Sequence, residues 1–337
     1  MLWIEKYRPG SFGEIIGQEK AVDLLGTFAA TGNLPHLLIT GPHGTGKTAG
    51  VECLARALYG DRYPENLTVI QAGDLFEQGK KYLEENERYA HIYRKDQSLL
   101  NNFKNIIRWY ASLRPLDSEF RMMVFEGASA LTRESQQGLR RIMERYSGTC
   151  RFVYITGQPS GIIPAIRSRC LPVFFAPLAD DLILAKLRTI GSAEGLAPER
   201  CPDDTLDLIA QAARGDLRKA IMLLQISVES NEPPDLVRWS QSETGQVAGA
   251  IFSAVESGDM QAAVRRIETL MIEYGLSARE VIMELRNVTK RVYNDPRISR
   301  ALGETDYILG HCNNEYLQLN ALVMKIRQEV FSRESGQ

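Results

Sequence analysis

Residues 37–48 constrain this chain more than any other stretch. Leu37-Leu38-Ile39-Thr40 runs straight into Gly41-Pro42-His43-Gly44-Thr45-Gly46-Lys47-Thr48, and Ala49 to Leu58 then carries a helical pattern. The order is strand, phosphate loop, helix. The glycines of Gly-x-x-x-x-Gly-Lys-Thr let backbone N–H groups turn inward around phosphate oxygens. Lys47 is placed to reach the β- and γ-phosphates, and the Thr48 hydroxyl suits a Mg²⁺ ion. The first turn of the helix adds its positive dipole end to the same place. The expectation is a nucleotide held by Gly41 through Thr48.

Strands alternate with helices around that loop. Glu19 to about Thr31 reads as a helix and Leu67-Thr68-Val69-Ile70 as a short strand. Residues 76–100 are strongly charged and read as a solvated helix or an exposed insertion. Phe103, Ile106, Ile107 and Tyr110 recur at helical spacing. Arg121 to Glu126 is a buried strand ending in a carboxylate. Leu139, Ile142 and Met143 line one side of a helix that also carries Arg140 and Arg141. Arg151 to Thr156 and Leu171 to Phe175 are two further strands. This alternation predicts an α/β unit with a parallel sheet covered on both faces.

The pattern changes after Pro177. From Leu178 to about Ser230 apolar residues recur at 3.6 spacing, broken by Gly191, Gly195 and Gly215. Asn231-Glu232-Pro233-Pro234-Asp235 is the clearest linker, because Pro-Pro cannot continue a helix. Residues 239–337 are helical again, with Tyr316, Leu319, Leu322, Val323, Ile326 and Val330 on one stripe. Three domains are expected, over 1–176, 177–234 and 239–337.

Composition narrows the function classes. A net charge of -2 on 337 residues is nearly balanced, so nucleic-acid contact needs a local basic patch or neighbours in an assembly. The 5 cysteines are scattered and form no C-x-x-C pair, which points to a reduced, intracellular setting without a zinc site. Nothing near Met1 reads as a signal peptide, and no apolar run has membrane-spanning length. The chain is expected to be soluble, with no membrane partner.

Further motifs carry a resemblance. Trp3-Ile4-Glu5-Lys6-Tyr7-Arg8-Pro9, Ile16-Gly17-Gln18, Leu34-Pro35-His36, Ala130-Leu131-Thr132, Leu139-Arg140-Arg141-Ile142-Met143-Glu144, Ser168-Arg169-Cys170 and Gly215-Asp216-Leu217-Arg218 occur in that order. Tyr274-Gly275-Leu276-Ser277 and Asn313-Asn314-Glu315 follow. The chain resembles the small subunit of replication factor C, a clamp loader of the AAA+ family. The resemblance implies a RecA-like AAA+ domain, a helical lid and an all-helical collar that oligomerises. It implies ATP or ADP with Mg²⁺ as cofactors. Tyr7, Arg8, Pro9, Ile16 and Gly17 would lie on the adenine side, and Arg218 would touch the γ-phosphate in its own subunit. Arg169, following a strand and projecting from the surface, would serve a neighbour's nucleotide as an arginine finger. A surface arginine in an ion pair is the plainer alternative.

The implied partners are the other subunits of a heteropentamer, a ring-shaped sliding clamp and primer–template DNA. The implied setting is the cytoplasm of an archaeon or the nucleus of a eukaryote. Lys104 and Arg108 are candidates for DNA contact, and Arg140 and Arg141 for the interface or the DNA side, with a solvated face as the plainer reading.

Three departures from the family pattern stand out. Asp-Glu-Ala-Asp is usual where this chain has Glu126-Gly127-Ala128-Ser129. Glu126 therefore replaces the aspartate on the Mg²⁺ side, and Gly127 replaces the glutamate that activates water. Gly157 aligns with the usual first-sensor asparagine. Gln71-Ala72-Gly73-Asp74 replaces Asn-Ala-Ser-Asp and is followed by about twenty additional residues. The expectation is a subunit that binds nucleotide and acts on a neighbour but hydrolyses weakly itself. A non-hydrolysing structural subunit is one alternative. Another AAA+ DNA machine, such as a branch-migration helicase, is a second.

Overall fold

A computed structural model of the chain describes residues 1–115, 118–196, 202–230, 243–293, 295–312 and 314–331. The linker expected at Asn231 to Asp235, together with Cys201 and Asn313, lies outside the described residues. The chain divides into two compact units, Met1–Pro233 and Pro234–Gln337.

The first unit is built on five parallel strands, β1 (Leu37–Thr40), β2 (Leu67–Gln71), β3 (Arg121–Glu126), β4 (Cys150–Thr156) and β5 (Leu171–Phe174), in the order β2-β3-β4-β1-β5. Side chains alternate across the sheet, and both faces are buried. Leu37, Ile39, Val124 and Val153 join one core, whereas Leu38, Phe125, Phe152 and Tyr154 join the other. Near-continuous apolar strands are what a sheet covered on both faces requires. β5 is one of the two edges, and Leu171 and Phe174 on it are exposed. His36 extends the sheet, accepting the Phe152 N–H on Nδ1 at 3.1 Å. Burial, reinforced by Arg151, pushes its imidazole down to about 4, so the ring stays neutral and can accept.

The register sets the site. Thr40 pairs with Thr156 and Gln71 with Glu126, so the C-terminal ends of four strands share one edge. Ligands of open parallel sheets bind at that edge, where strand order reverses.

Two expectations change. Residues 76–100 do not form a merely solvated element. Helical segments Lys80–Glu85 and Glu87–Ala90 bury Leu83 and Tyr89 in the core beside Phe103, and Tyr89 stacks edge-on against Tyr110. Two apolar side chains in a charged run suffice to anchor it. Gly191 does not break the helical region either, since it lies inside helix Asp180–Ala193. An interior glycine costs only about 1 kcal/mol relative to alanine. Helices Asp203–Ala213 and Leu217–Ser230 follow, with Gly215 at positive φ between them.

The second unit is helical throughout its described residues. Helix Ala278–Val292 starts on a capping box, Ser277 with Glu280, a device worth about 0.5–2 kcal/mol. Helix Glu315–Ile326 is capped by Asn314 and buries Leu319, Leu322, Val323 and Ile326. Among the described residues, no helix is long and apolar enough to cross a membrane.

Candidate functional site

The phosphate loop leaves β1 at Thr40 and turns through Gly41, Gly44 and Gly46, all at positive φ. Gly46 is the N-cap position of helix Lys47–Tyr59, so the helix's free N–H groups face the loop. Thr45 Oγ1 donates to the Pro42 carbonyl at 3.0 Å, and Lys47 Nζ donates to the same oxygen. Burial pushes the Lys47 ammonium below the usual lysine value; Arg218 adds to this, while Asp216 and Glu126 oppose it. That balance places Lys47, Asp216, Glu126 and Arg218 in one electrostatic neighbourhood.

The lid helix Leu217–Ser230 docks its first turn on the loop. Leu217 N donates to the Gly44 carbonyl at 3.2 Å, and Asp216 caps the helix through the Lys219 N–H at 2.9 Å. The N-terminal arm closes the other wall. Trp3 N donates to Gln225 Oε1 at 2.8 Å, Tyr7 Oη to Glu194 at 2.6 Å, and Arg8 Nε to Glu52 at 2.9 Å. The cavity between them measures about 290 Å³. Tyr7, Arg8, Pro9 and Ile16 line one side, His43 through Thr48 the floor, and Glu126 and Arg218 the far side. Gly41 and Pro42 begin the same loop but do not line the cavity. Gly17 does not line the cavity; its α-carbon faces Leu178 and Leu182 of the lid.

Gln18, Gln71 and Lys186 are among the residues that went unread as site residues. Gln18 is buried and bridges Thr45 O and Ala176 O, tying the loop to the segment that follows β5. Its place beside Ile16-Gly17 was the available signal. Gln71 and Lys186 also line the cavity. Gln71 ends a strand, which marks it; a single lysine in a lid helix has no sequence signal.

Glu126 Oε2 accepts from Gln71 Nε2, while Oε1 is buried and has no hydrogen-bond partner among the described residues. A buried, bare carboxylate oxygen is costly unless a cation or donor meets it. Among the described residues no three His, Cys, Asp or Glu side chains gather as a metal cage. A single carboxylate such as Glu126 fits Mg²⁺, which takes one or two protein oxygens and completes its shell with phosphate and water. Thr48 lines the same cavity. Gly127 and Gly157 also line it and offer no side chain.

Arg169 departs from expectation. It lies between the short helix Pro164–Arg167 and β5, not after a strand, because Pro164 starts a helical turn there. It does not project freely. Its guanidinium donates to Glu144 Oε1, with Nε at 2.9 Å, and to the Ala165 carbonyl at 2.8 Å. Glu144's carboxyl is held below the usual range by this arginine.

Known proteins place this architecture. Residues 17–179 match the family model for the DNA polymerase III delta subunit, and residues 246–325 match the replication factor C C-terminal domain. The replication factor C small subunit of Haloarcula marismortui is 32% identical over 97% of this chain and 95% of its own. That of Aeropyrum pernix is 33% identical over 96% and 94%. Among solved structures, the Thermotoga maritima RuvB Holliday junction branch migration motor aligns with a TM-score of 0.52 at 16% identity, covering 86% of this chain and 89% of that one. The Aeropyrum pernix Orc1 protein in complex with DNA aligns at 0.56 and 18%, covering 97% and 86%. Those two likenesses speak for the fold alone, an AAA+ α/β unit with a parallel sheet and helical additions. The chain belongs to the replication factor C small subunit family.

Proposed function

We propose that this chain is one subunit of an ATP-driven clamp loader, which opens a ring-shaped sliding clamp and sets it on primer–template DNA. In this reading residues 1–176 form the nucleotide domain, 177–234 the lid, and 239–337 the collar that assembles a heteropentamer. The observation that carries the nucleotide reading is the bare, buried oxygen of Glu126 in the cavity of Lys47 and Thr48.

Bound ATP with Mg²⁺ supplies the γ-phosphoryl group that is transferred to water. Lys47 and the N-terminus of helix Lys47–Tyr59 set positive charge against the phosphates. Thr48 and Glu126 would hold the cation, and Arg218 would couple the lid to the terminal phosphate. The adenine would lie toward Tyr7, Arg8, Pro9 and Ile16, which line the cavity. Gly127 and Gly157 can neither activate nor orient water, and a general base is worth about 10²–10⁴ in rate. Hydrolysis at this subunit's own site is therefore weak. Arg169 acts on the neighbour's site, where an arginine finger is worth about 10³–10⁵. Its ion pair with Glu144 is exposed and easily exchanged.

The test is steady-state ATPase of the reconstituted complex with clamp and primed DNA, beside calorimetry of the single chain. Lys47→Ala abolishes nucleotide binding by the chain but lowers total turnover little. Arg169→Ala cuts turnover sharply, through the neighbour. The reverse pattern sinks the division of labour, and undiminished binding by Lys47→Ala sinks the nucleotide site.

A further inference from the structure

We infer that Gln71 is a positioning residue that orients the Glu126 carboxylate toward a divalent cation. This deepens the reading that Glu126 faces the nucleotide's Mg²⁺ and rests on it. Gln71 and Glu126 are the last residues of β2 and β3, and they are register partners in adjacent parallel strands. Register partners point to the same face of a sheet, so the two side chains leave the strand ends together. Gln71 Nε2 donates to Glu126 Oε2, and both residues line the cavity. The other oxygen, Oε1, is left buried without a partner among the described residues.

The chemistry of the pair fits a metal ligand better than a structural bridge. Glutamate has one more rotor than aspartate, and its terminal torsion is broad. A carboxylate on so long a stem needs a second group to fix it. An arginine or lysine would fix it too, but would also neutralise it and compete with a cation. The amide of Gln71 is neutral: it occupies one oxygen and leaves the negative charge available. Gly127 places no side chain between the two strand ends, and the nearest atom to its missing Cβ is Gly73 N at 3.9 Å. Partners that orient metal ligands in this way change metal affinity by about 10–100-fold when removed.

The experiment measures ADP affinity of the full chain by calorimetry, with Mg²⁺ and again in EDTA, and takes the ratio. Gln71→Leu is expected to lose about 10-fold or more of the Mg²⁺ enhancement, with affinity in EDTA unchanged. Gln71→Asn, too short to reach Glu126, should behave the same way and guards against an effect of the leucine itself. Glu126→Gln should abolish the enhancement. If both Gln71 variants keep the wild-type ratio while Glu126→Gln loses it, Gln71 has no positioning role and the Glu126 reading stands. If Glu126→Gln keeps the ratio, the cation reading fails and the inference falls with it. If the Gln71 variants lose affinity equally with and without Mg²⁺, the contact is structural and the inference is overturned.

Discussion

The floor of the cleft and its rim, formed by Gly127 and Gly157 just beyond β3 and β4, both use glycine, for opposite reasons. In the loop that makes the floor, Gly41 has φ 143°, and a Cβ there would sit 2.1 Å from the Phe175 carbonyl oxygen. At Gly44 a Cβ would land 1.6 Å from Asp216 Oδ1. On the rim, a Cβ at Gly157 would meet Gly41 O at 3.7 Å and His43 Nε2 at 3.8 Å, which is ordinary contact. At Gly127 nothing lies closer than 3.9 Å, and only φ 60° opposes a side chain. Gly41 and Gly44 are imposed by the fold, whereas Gly46, at φ 93°, meets nothing closer than 3.7 Å. Rim glycines are not imposed by packing.

The comparison breaks most readily at Gly41. Phe175 N bonds Thr40 O at 2.8 Å, so the clashing carbonyl belongs to backbone already fixed beside the sheet. Gly41→Ala combines overpacking with left-handed strain, and together these cost about 2–6 kcal/mol. Urea unfolding of the full chain should show that loss. A change under about 1 kcal/mol would mean that the floor yields and that its glycines are no more compelled than the rim's.

The floor was legible in the sequence because a phosphate loop is local. Its strand, turns and helix lie within residues 37–59, and each glycine has a backbone duty. The five strands were legible because buried parallel strands are apolar throughout. What escaped depends on contacts distant in the chain. Gln18 reaches Ala176, Gln71 reaches Glu126, and Arg169 reaches Glu144. Residues 76–100 misled for a related reason: their charge is overruled by Leu83 and Tyr89, whose burial depends on a helix that starts at Leu99.

Gly127→Glu sharpens the rim's side of the comparison. The side chain has room, so the fold should lose only the left-handed strain of one residue, about 1–2 kcal/mol. The new carboxylate should raise hydrolysis at this subunit's own site by about 10², the low end for a general base. The readout is ATPase of the reconstituted complex in which this site is the one left competent. A variant that folds and binds nucleotide but gains no turnover would show that the side chain absent at Gly157 is needed as well.

The smallest effect is expected at Gly157 itself. It is not among the residues at positive φ. Its turn is held by Gln158 N donating to Thr156 Oγ1 at 2.9 Å, a bond that involves no atom of Gly157. Alanine there meets its neighbours at van der Waals distance and removes conformational freedom from the unfolded chain. Gly157→Ala should therefore stabilise the protein, by about 0.4–1 kcal/mol. In scanning calorimetry of the full chain that is a rise of about 1–4 °C in the transition of the unit Met1–Pro233. Nucleotide affinity should not change, because the substitution adds no polar group to the cavity. A fall in stability beyond about 1 kcal/mol would place Gly157 with Gly41, as a glycine the fold requires, and the rim could no longer be read as room left without a side chain.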